Sequence, residues 1–268
     1  MITYGHSPIL NGVHTYGGET DRPLINMART TAGTRTTAGS RQLVRDFGTC
    51  LNFDGDGDYV NIPAGTLTAW DGESTLTFWM LLKSFSPSGD KAIIDSQWGN
   101  DNAGGWQIVI NTTGGVTVYV GDQTGRDSNA TQTGFIKNKW CFMSVSKKTS
   151  INTQNVYRNG VLLNSRTNCT KGTTNTATGI VLRFAGNRTG GQETNIMLKD
   201  IRIHNSFLSI TEIQNIYYAG SIHASTIHRW NFNEGSGSSA IDSIGSASGT
   251  IVNATYSTNV PIIPRTAV

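Results

Sequence analysis

The sequence predicts an all-β fold, a two-sheet antiparallel sandwich that carries one short helix. Three observations predict it. The 268 residues include 31 glycines, with Thr, Ser and Asn filling much of the remainder, and these are mediocre to poor helix formers. Apolar residues recur in short runs bounded by Gly, Asn and Asp, which is the pattern of strands joined by turns. A single stretch combines 3–4-residue apolar spacing with helix start and stop signals. Many short strands and one helical turn bury their apolar faces by packing two sheets together.

Residues 1–46 differ from all that follows, because they hold few large apolar side chains. They contain a short repeat in which Arg29, Arg35 and Arg41 recur every six residues. Even spacing in an extended chain puts these guanidinium groups on one side. The segment cannot bury enough apolar surface to fold alone. It reads as a disordered leader, or as an extended arm that orders against a partner whose carboxylates meet the arginines. The arm is the reading adopted.

From Phe47 onward the chain reads as strand after strand. Leu76–Leu82 has the continuous apolar character of a strand buried on both faces. Trp106–Ile110 and Val116–Val120 flank Asn111-Thr-Thr-Gly-Gly115, a hairpin signal. Trp140–Ser146 alternates large and small residues. Asn155–Arg158, the Asn159-Gly160 pair and Val161–Leu163 predict a hairpin with a type I′ turn. Ile180–Phe184 and Met197–His204 add two strands. The helix begins at Ser209, which with Glu212 forms a capping box; Ile210, Ile213, Ile216 and Tyr217 give its apolar face and Gly220 its stop. Ile227–Phe232 and Thr250–Asn253 return to strand, separated by Gly- and Ser-rich turns.

Charge and cysteine usage exclude several classes. A net charge of +3 is too small to make nucleic acid the main partner. No apolar run approaches the roughly 18–20 residues of a membrane span. Cys50, Cys141 and Cys169 are odd in number and widely spaced, which suits neither a disulfide framework nor a zinc site. Met1–Gly12 lacks the basic and apolar regions of a secretory signal, so folding in a reducing cytoplasm is expected. Five Asn-x-Ser/Thr acceptors, at Asn111, Asn129, Asn168, Asn187 and Asn253, read as composition.

Several motifs then agree in order. Cys50–Val60 with its Phe-Asp-Gly core, Leu76-Thr-Phe-Trp79, Lys139-Trp140, Val156–Gly160, and Leu198–Ile203 followed by Leu208–Ile213 resemble the laminin G-like family. The resemblance covers about residues 47–220 and implies a concanavalin A-like jelly roll. Trp230–Gly237, Asp242–Gly245 and Gly249–Val252 look like the segment that commonly precedes the Phe-Asp-Gly motif, yet here they follow the helix. A sandwich with neighbouring termini tolerates such permutation. The expected organisation is therefore an arm, 1–46, and one jelly-roll domain, 47–268, in which 221–260 complete the sandwich.

Asp54, Asp56 and Asp58 alternate with glycines, crowding carboxylates into one turn. Such a turn either caps backbone N–H groups or offers oxygens to calcium. Counted as an EF-hand loop it fails, with Tyr59 and Gly65 at the positions of the required Gly and Glu. Acids in Gly-rich turns are expected to be solvated and ionised. The five glutamates, at 19, 73, 193, 212 and 234, form no alternating run of the kind glucanases of this fold carry and read as turn or cap residues. The histidines, at 6, 14, 204, 223 and 228, make no metal-ligand pair on a common element, and no Gly-x-Ser-x-Gly motif opens a helix. For sugar binding, the loop aromatics Trp98, beside Asn100 and Asp101, and Trp70 are the candidates for stacking, with the alternative that they pack or cover an edge. Trp79, Trp140 and Trp230 sit in strand patterns and read as core, while Lys137, Lys139, Lys147 and Lys148 read as a solvated face.

These readings predict a non-enzymatic structural and adhesive protein. Laminin G-like domains recur on bacteriophage surfaces as decoration and fibre proteins. The resemblance thus implies a virion-surface protein, held through residues 1–46 to other capsid proteins or to copies of itself, with cell-surface glycans as outer ligands. The alternative is a secreted carbohydrate-binding module or polysaccharide-degrading enzyme.

Overall fold

The computed structural model describes residues 44–45, 48–64, 66, 73–96, 105–121, 125–129, 131–171, 181–187 and 190–263. In chain order the strands are β1 (Val44–Arg45), β2 (Cys50–Asp54), β3 (Tyr59–Ile62), β4 (Glu73–Leu82), β5 (Lys91–Asp95), β6 (Gly105–Ile110), β7 (Val116–Gly121), β8 (Arg126–Ser128), β9 (Trp140–Lys148), β10 (Thr153–Arg158), β11 (Val161–Arg166), β12 (Leu182–Phe184), β13 (Asn195–His204), β14 (Thr226–Trp230), β15 (Ser239–Ala240), β16 (Gly249–Val252), β17 (Thr255–Ser257) and β18 (Ile262–Ile263). Helix α1 (Ile210–Ala219) lies between β13 and β14; among the described residues no helix is long and apolar enough to cross a membrane.

Two eight-stranded antiparallel sheets result. The first runs β11-β10-β9-β4-β13-β2-β17, and the second β15-β16-β3-β12-β5-β6-β7-β8. The eighth strand of the first sheet is β14, which pairs with Ile201–His204 of β13 while β2 pairs with Asn195–Leu198. The two strands thus follow one another along the same edge. A shift of register between Lys199 and Arg202, with Asp200 at φ 51°, separates the two halves. Such an extra residue bends a strand and re-aims its side chains.

Alternation along the strands sets the layers. In β4, Leu76, Phe78, Met80 and Leu82 enter the core between the sheets, joining Leu51, Phe53, Ile94, Ile108, Val118, Phe184, Trp230 and Phe232. Trp79 points to the opposite face, where Phe142 and Tyr157 meet Leu208, Ile213 and Ile216 of the helical segment. β4 is therefore covered on both faces and buried from Ser74 to Leu82, as the apolar run Leu76–Leu82 implied. The helix forms as its end signals dictate. Ser209 accepts from the Glu212 amide, Glu212 returns a bond to the Ser209 amide, and Gly220 at φ 64° closes the last turn. The Asn159-Gly160 turn has φ 53° and 74°, the left-handed pair that a type I′ hairpin needs.

Residues 226–257 are hydrogen-bonded into both sheets: β14 and β17 into the first, β16 and β15 into the second. Trp230 and Phe232 share one core with Leu51 and Phe53. Phe232 is past the end of β14, at φ 58°, instead of within the strand.

Three side chains depart from expectation. Lys147 is fully buried, because its strand is central in the sheet and its ammonium donates to the Cys169 carbonyl. Glu73 opens β4 and pairs with Lys148 at 3.6 Å, so it is neither a turn nor a cap residue. Trp140 is half-buried at the margin of the helix-side cluster, and its indole Nε1 donates to Asn259 Oδ1 at 3.3 Å.

Candidate functional site

At one end of the sandwich both sheets stop short and leave a cleft of about 150 Å3, close to the volume that admits one benzene-sized ring. The first sheet contributes Asp54 from the end of β2, the 84–87 segment after β4, and Asn195 from the start of β13. The second contributes Lys91 from the start of β5 and Ile110 from the end of β6. Glu193 and Thr194 complete the wall.

Each part has a local cause. The Asp54–Asp58 turn is held by its own acids: Asp58 Oδ2 accepts from the Asp54 amide and Asp54 Oδ1 from the Asp56 amide, both at 2.8 Å. Gly55 and Gly57 take positive φ of 88° and 72°, which this tight path requires. Phe85 is placed by what it meets: a Cβ on Gly114 would fall 2.5 Å from its ring, and the Lys137 ammonium lies 5.3 Å from its centroid. Ser86 donates to the Gly89 carbonyl at 2.6 Å, fixing the bend that follows. Glu193 Oε1 accepts from the Gly191 amide at 2.8 Å, and Thr194 Oγ1 donates to the Ala92 carbonyl at 2.6 Å, tying this loop to the second sheet.

Asn195 is different. Its Oδ1 is shielded from solvent and has no hydrogen-bond partner, although the residue lines the cleft. A buried acceptor left unpaired costs about 1–3 kcal/mol, and turning the Asn195 side chain into the cleft would bring that oxygen within reach of a ligand hydroxyl.

The carboxylates are not equivalent. Asp58 is buried, contrary to the solvated state expected of it; burial, with the nearby Asp54 carboxylate, raises its pKa above the usual carboxylate value. Asp54 and Asp56 remain exposed. Among the described residues no three His, Cys, Asp or Glu side chains converge as a metal-holding group. Asp54 Oδ1 and Asp58 Oδ2 are each engaged by a backbone amide of the turn.

Of the residues proposed from the sequence to hold a ligand, metal or partner, Asp54, Asp56 and Asp58 fall within the described structure; Arg29, Arg35, Arg41, Trp70, Trp98, Asn100 and Asp101 lie outside it. The structure brings Asp54 to the cleft and leaves Asp56 and Asp58 in the turn behind it. Phe85, Ser86, Lys91, Glu193 and Asn195 were not anticipated. The polar run Gly190–Asn195 ahead of an apolar strand was the one local signal for Glu193 and Asn195.

Comparison with known proteins gives a consistent picture. The family model described as the concanavalin A-like lectin/glucanases superfamily, of laminin G type, matches residues 54–214. A solved protein from Bacteroides ovatus, described as carbohydrate binding, superposes with a TM-score of 0.63 at 14% identity, over 81% of this chain and 61% of that one. The heptameric SAP-like pentraxin of Limulus polyphemus superposes with a TM-score of 0.51 at 13% identity, over 77% of this chain and 97% of its own. The chain thus spans about 61% of the length of the Bacteroides ovatus structure. No curated protein matches it in sequence.

Proposed function

The chain belongs to the concanavalin A-like lectin/glucanase superfamily, and from that premise we propose that it is a non-enzymatic, glycan-binding sandwich displayed on a larger assembly. The observation that carries the glycan reading is the unpaired Asn195 Oδ1 on a residue that lines a ring-sized cleft. With the Asn195 side chain turned into the cleft a sugar hydroxyl donates to that oxygen, the carboxylates of Asp54 and Glu193 accept further hydroxyls, and Phe85 and Ile110 offer apolar wall to the ring carbons. Binding is favoured over turnover because acid–base chemistry needs two carboxyls poised across a scissile bond. Here one oxygen of Asp54 and one of Glu193 already hold backbone amides.

Display on an assembly, with a virion surface as the favoured location, rests on the Arg29, Arg35 and Arg41 repeat in a segment with few large apolar side chains. Such a segment suits attachment to an acidic partner surface better than independent folding.

The cleft is tested by titrating the protein with a panel of neutral oligosaccharides while following reducing ends. Binding without product is expected, and Asn195→Ala should weaken it about tenfold, the equivalent of one good hydrogen bond. Sustained hydrolysis, or binding indifferent to Asn195→Ala, overturns the reading. The arm is tested by deleting residues 1–46. The remaining sandwich should still unfold cooperatively while its capture on the assembly is lost; retained capture would remove the arm from the account.

A further inference from the structure

A second pocket, of about 220 Å3, shares no residue with the cleft. Its walls include Phe135, Ile136, Lys139, Trp140, Arg158 and Asn159, drawn from the loop ahead of β9, the start of β9 and the end of β10.

The sequence builds it from a hairpin and a loop locked together by one arginine. Arg158 Nη1 donates to the carbonyls of Gly134 and Thr133 at 2.8 and 3.1 Å, and its guanidinium lies 5.0 Å from the Phe135 ring centroid. Asn159 Oδ1 accepts from the Phe142 amide at 2.9 Å, fixing the hairpin at the pocket's base. Over this frame sit an apolar rim and a second cation. Ile136 is 59% exposed and presents its side chain at the pocket's edge. Trp140 is half-buried, and Lys139 is exposed beside it.

The charge is one-sided. Among the described residues Lys139 and Arg158 line the pocket and no Asp or Glu does. Burial pushes the Cys141 thiol up to about 12, so it adds no negative charge. The molecule that fits must therefore present an apolar ring face and an anion together. A sugar acid does both: the C–H face of its ring suits Trp140 and Ile136, and its carboxylate suits a lysine and an arginine.

We propose that this pocket is a binding site for an acidic saccharide unit of the hexuronate class, seated with its ring against Trp140 and Ile136 and its carboxylate toward Lys139 and Arg158. The proposal rests on the reading of the chain as a glycan binder, but on residues separate from the cleft, so the two stand or fall apart.

The full chain is titrated by calorimetry and amide chemical shifts with a galacturonate oligomer, its methyl-esterified counterpart and sodium acetate. The acid oligomer is expected to shift amides of the 134–141 and 158–160 segments and to bind at least about tenfold tighter than the ester, as one charge-assisted contact implies. Its affinity should fall as salt is raised. Lys139→Glu, an exposed substitution that leaves the core alone, should abolish the preference for acid over ester. Asn195→Ala should leave it intact, although that variant tests the cleft. Equal affinity for acid and ester, a preference that survives Lys139→Glu, acetate binding as tightly as the oligomer, or no binding of the acid oligomer would each overturn the proposal.

Discussion

Individual side chains carry an acid sensitivity that composition does not announce. His204 is fully buried, with Thr77 Oγ1 3.4 Å from Nε2 and Thr226 Oγ1 3.1 Å from Nδ1. Burial, reinforced by the Arg202 charge and by His223, lowers its pKa from 6.5 to about 3. The unfolded chain therefore takes up a proton that the folded one refuses. Stability from this residue is whole above about 6.5 and is lost progressively toward 3. Asp200 acts lower on the scale. Burial alone would raise its pKa, but Arg202, and Arg229 after it, bring it down to about 2. Its contribution is present above 3.8 and disappears as pH falls to about 2. We expect the urea midpoint to fall by an amount worth a few kcal/mol between pH 7 and pH 4, and His204→Gln to flatten that slope. A midpoint constant over this range, or an unchanged slope in the variant, would refute the account. None of this was legible in the sequence, because the groups surrounding His204 come from β4, β13 and the segment before β14.

Elements were the most legible scale, since their causes are local. The capping box at Ser209 and Glu212, the Gly220 stop and the Asn159-Gly160 turn each depend on residues within a few positions of one another, and each formed as its chemistry requires. Lys147 failed for the complementary reason. Whether a strand lysine is solvated depends on which strands flank it, and here β4 and β10 enclose β9. The hairpin turn also bears on the helix. A Cβ at Gly160 would lie 3.1 Å from Gln214 Cγ and 3.3 Å from the Tyr217 ring, and the Gly160 carbonyl accepts from Gln214 Nε2 at 3.1 Å. Gly160→Ala thus combines left-handed strain with crowding of α1, and should cost about 1–3 kcal/mol. Chemical denaturation checks it; a midpoint equal to the parent's would show that turn and helix are not coupled in this way.

For the whole molecule, the sandwich architecture followed from composition and strand rhythm, whereas the cleft did not, because its wall gathers Asp54, Phe85, Lys91 and Asn195 from distant parts of the chain. Long-range pairing is the rule throughout this fold. Truncation after Gly220 would remove β14 to β18, and with them Trp230 and Phe232 from the core. Losing two buried aromatics costs about 3–5 kcal/mol each in substitution experiments, so the truncated chain should show no cooperative unfolding. A sharp transition in it would mean that these strands are accessory. The shared edge of β13 has a consequence for synthesis as well. Asn52 pairs with Met197 on one side and Thr255 on the other, while Val60 pairs with Phe184 and Ile251. As the chain leaves the ribosome, β2 and β3 emerge ahead of their partners and wait, with both edges bare, for strands that lie far along the sequence, from Phe184 to Thr255. Bare strand edges recruit other chains, and slow long-range closure prolongs the wait. Nascent copies crowded on one messenger are therefore at risk of pairing with each other, and a chaperone that shields residues 50–62 until those partner strands emerge would raise the yield of native sandwich.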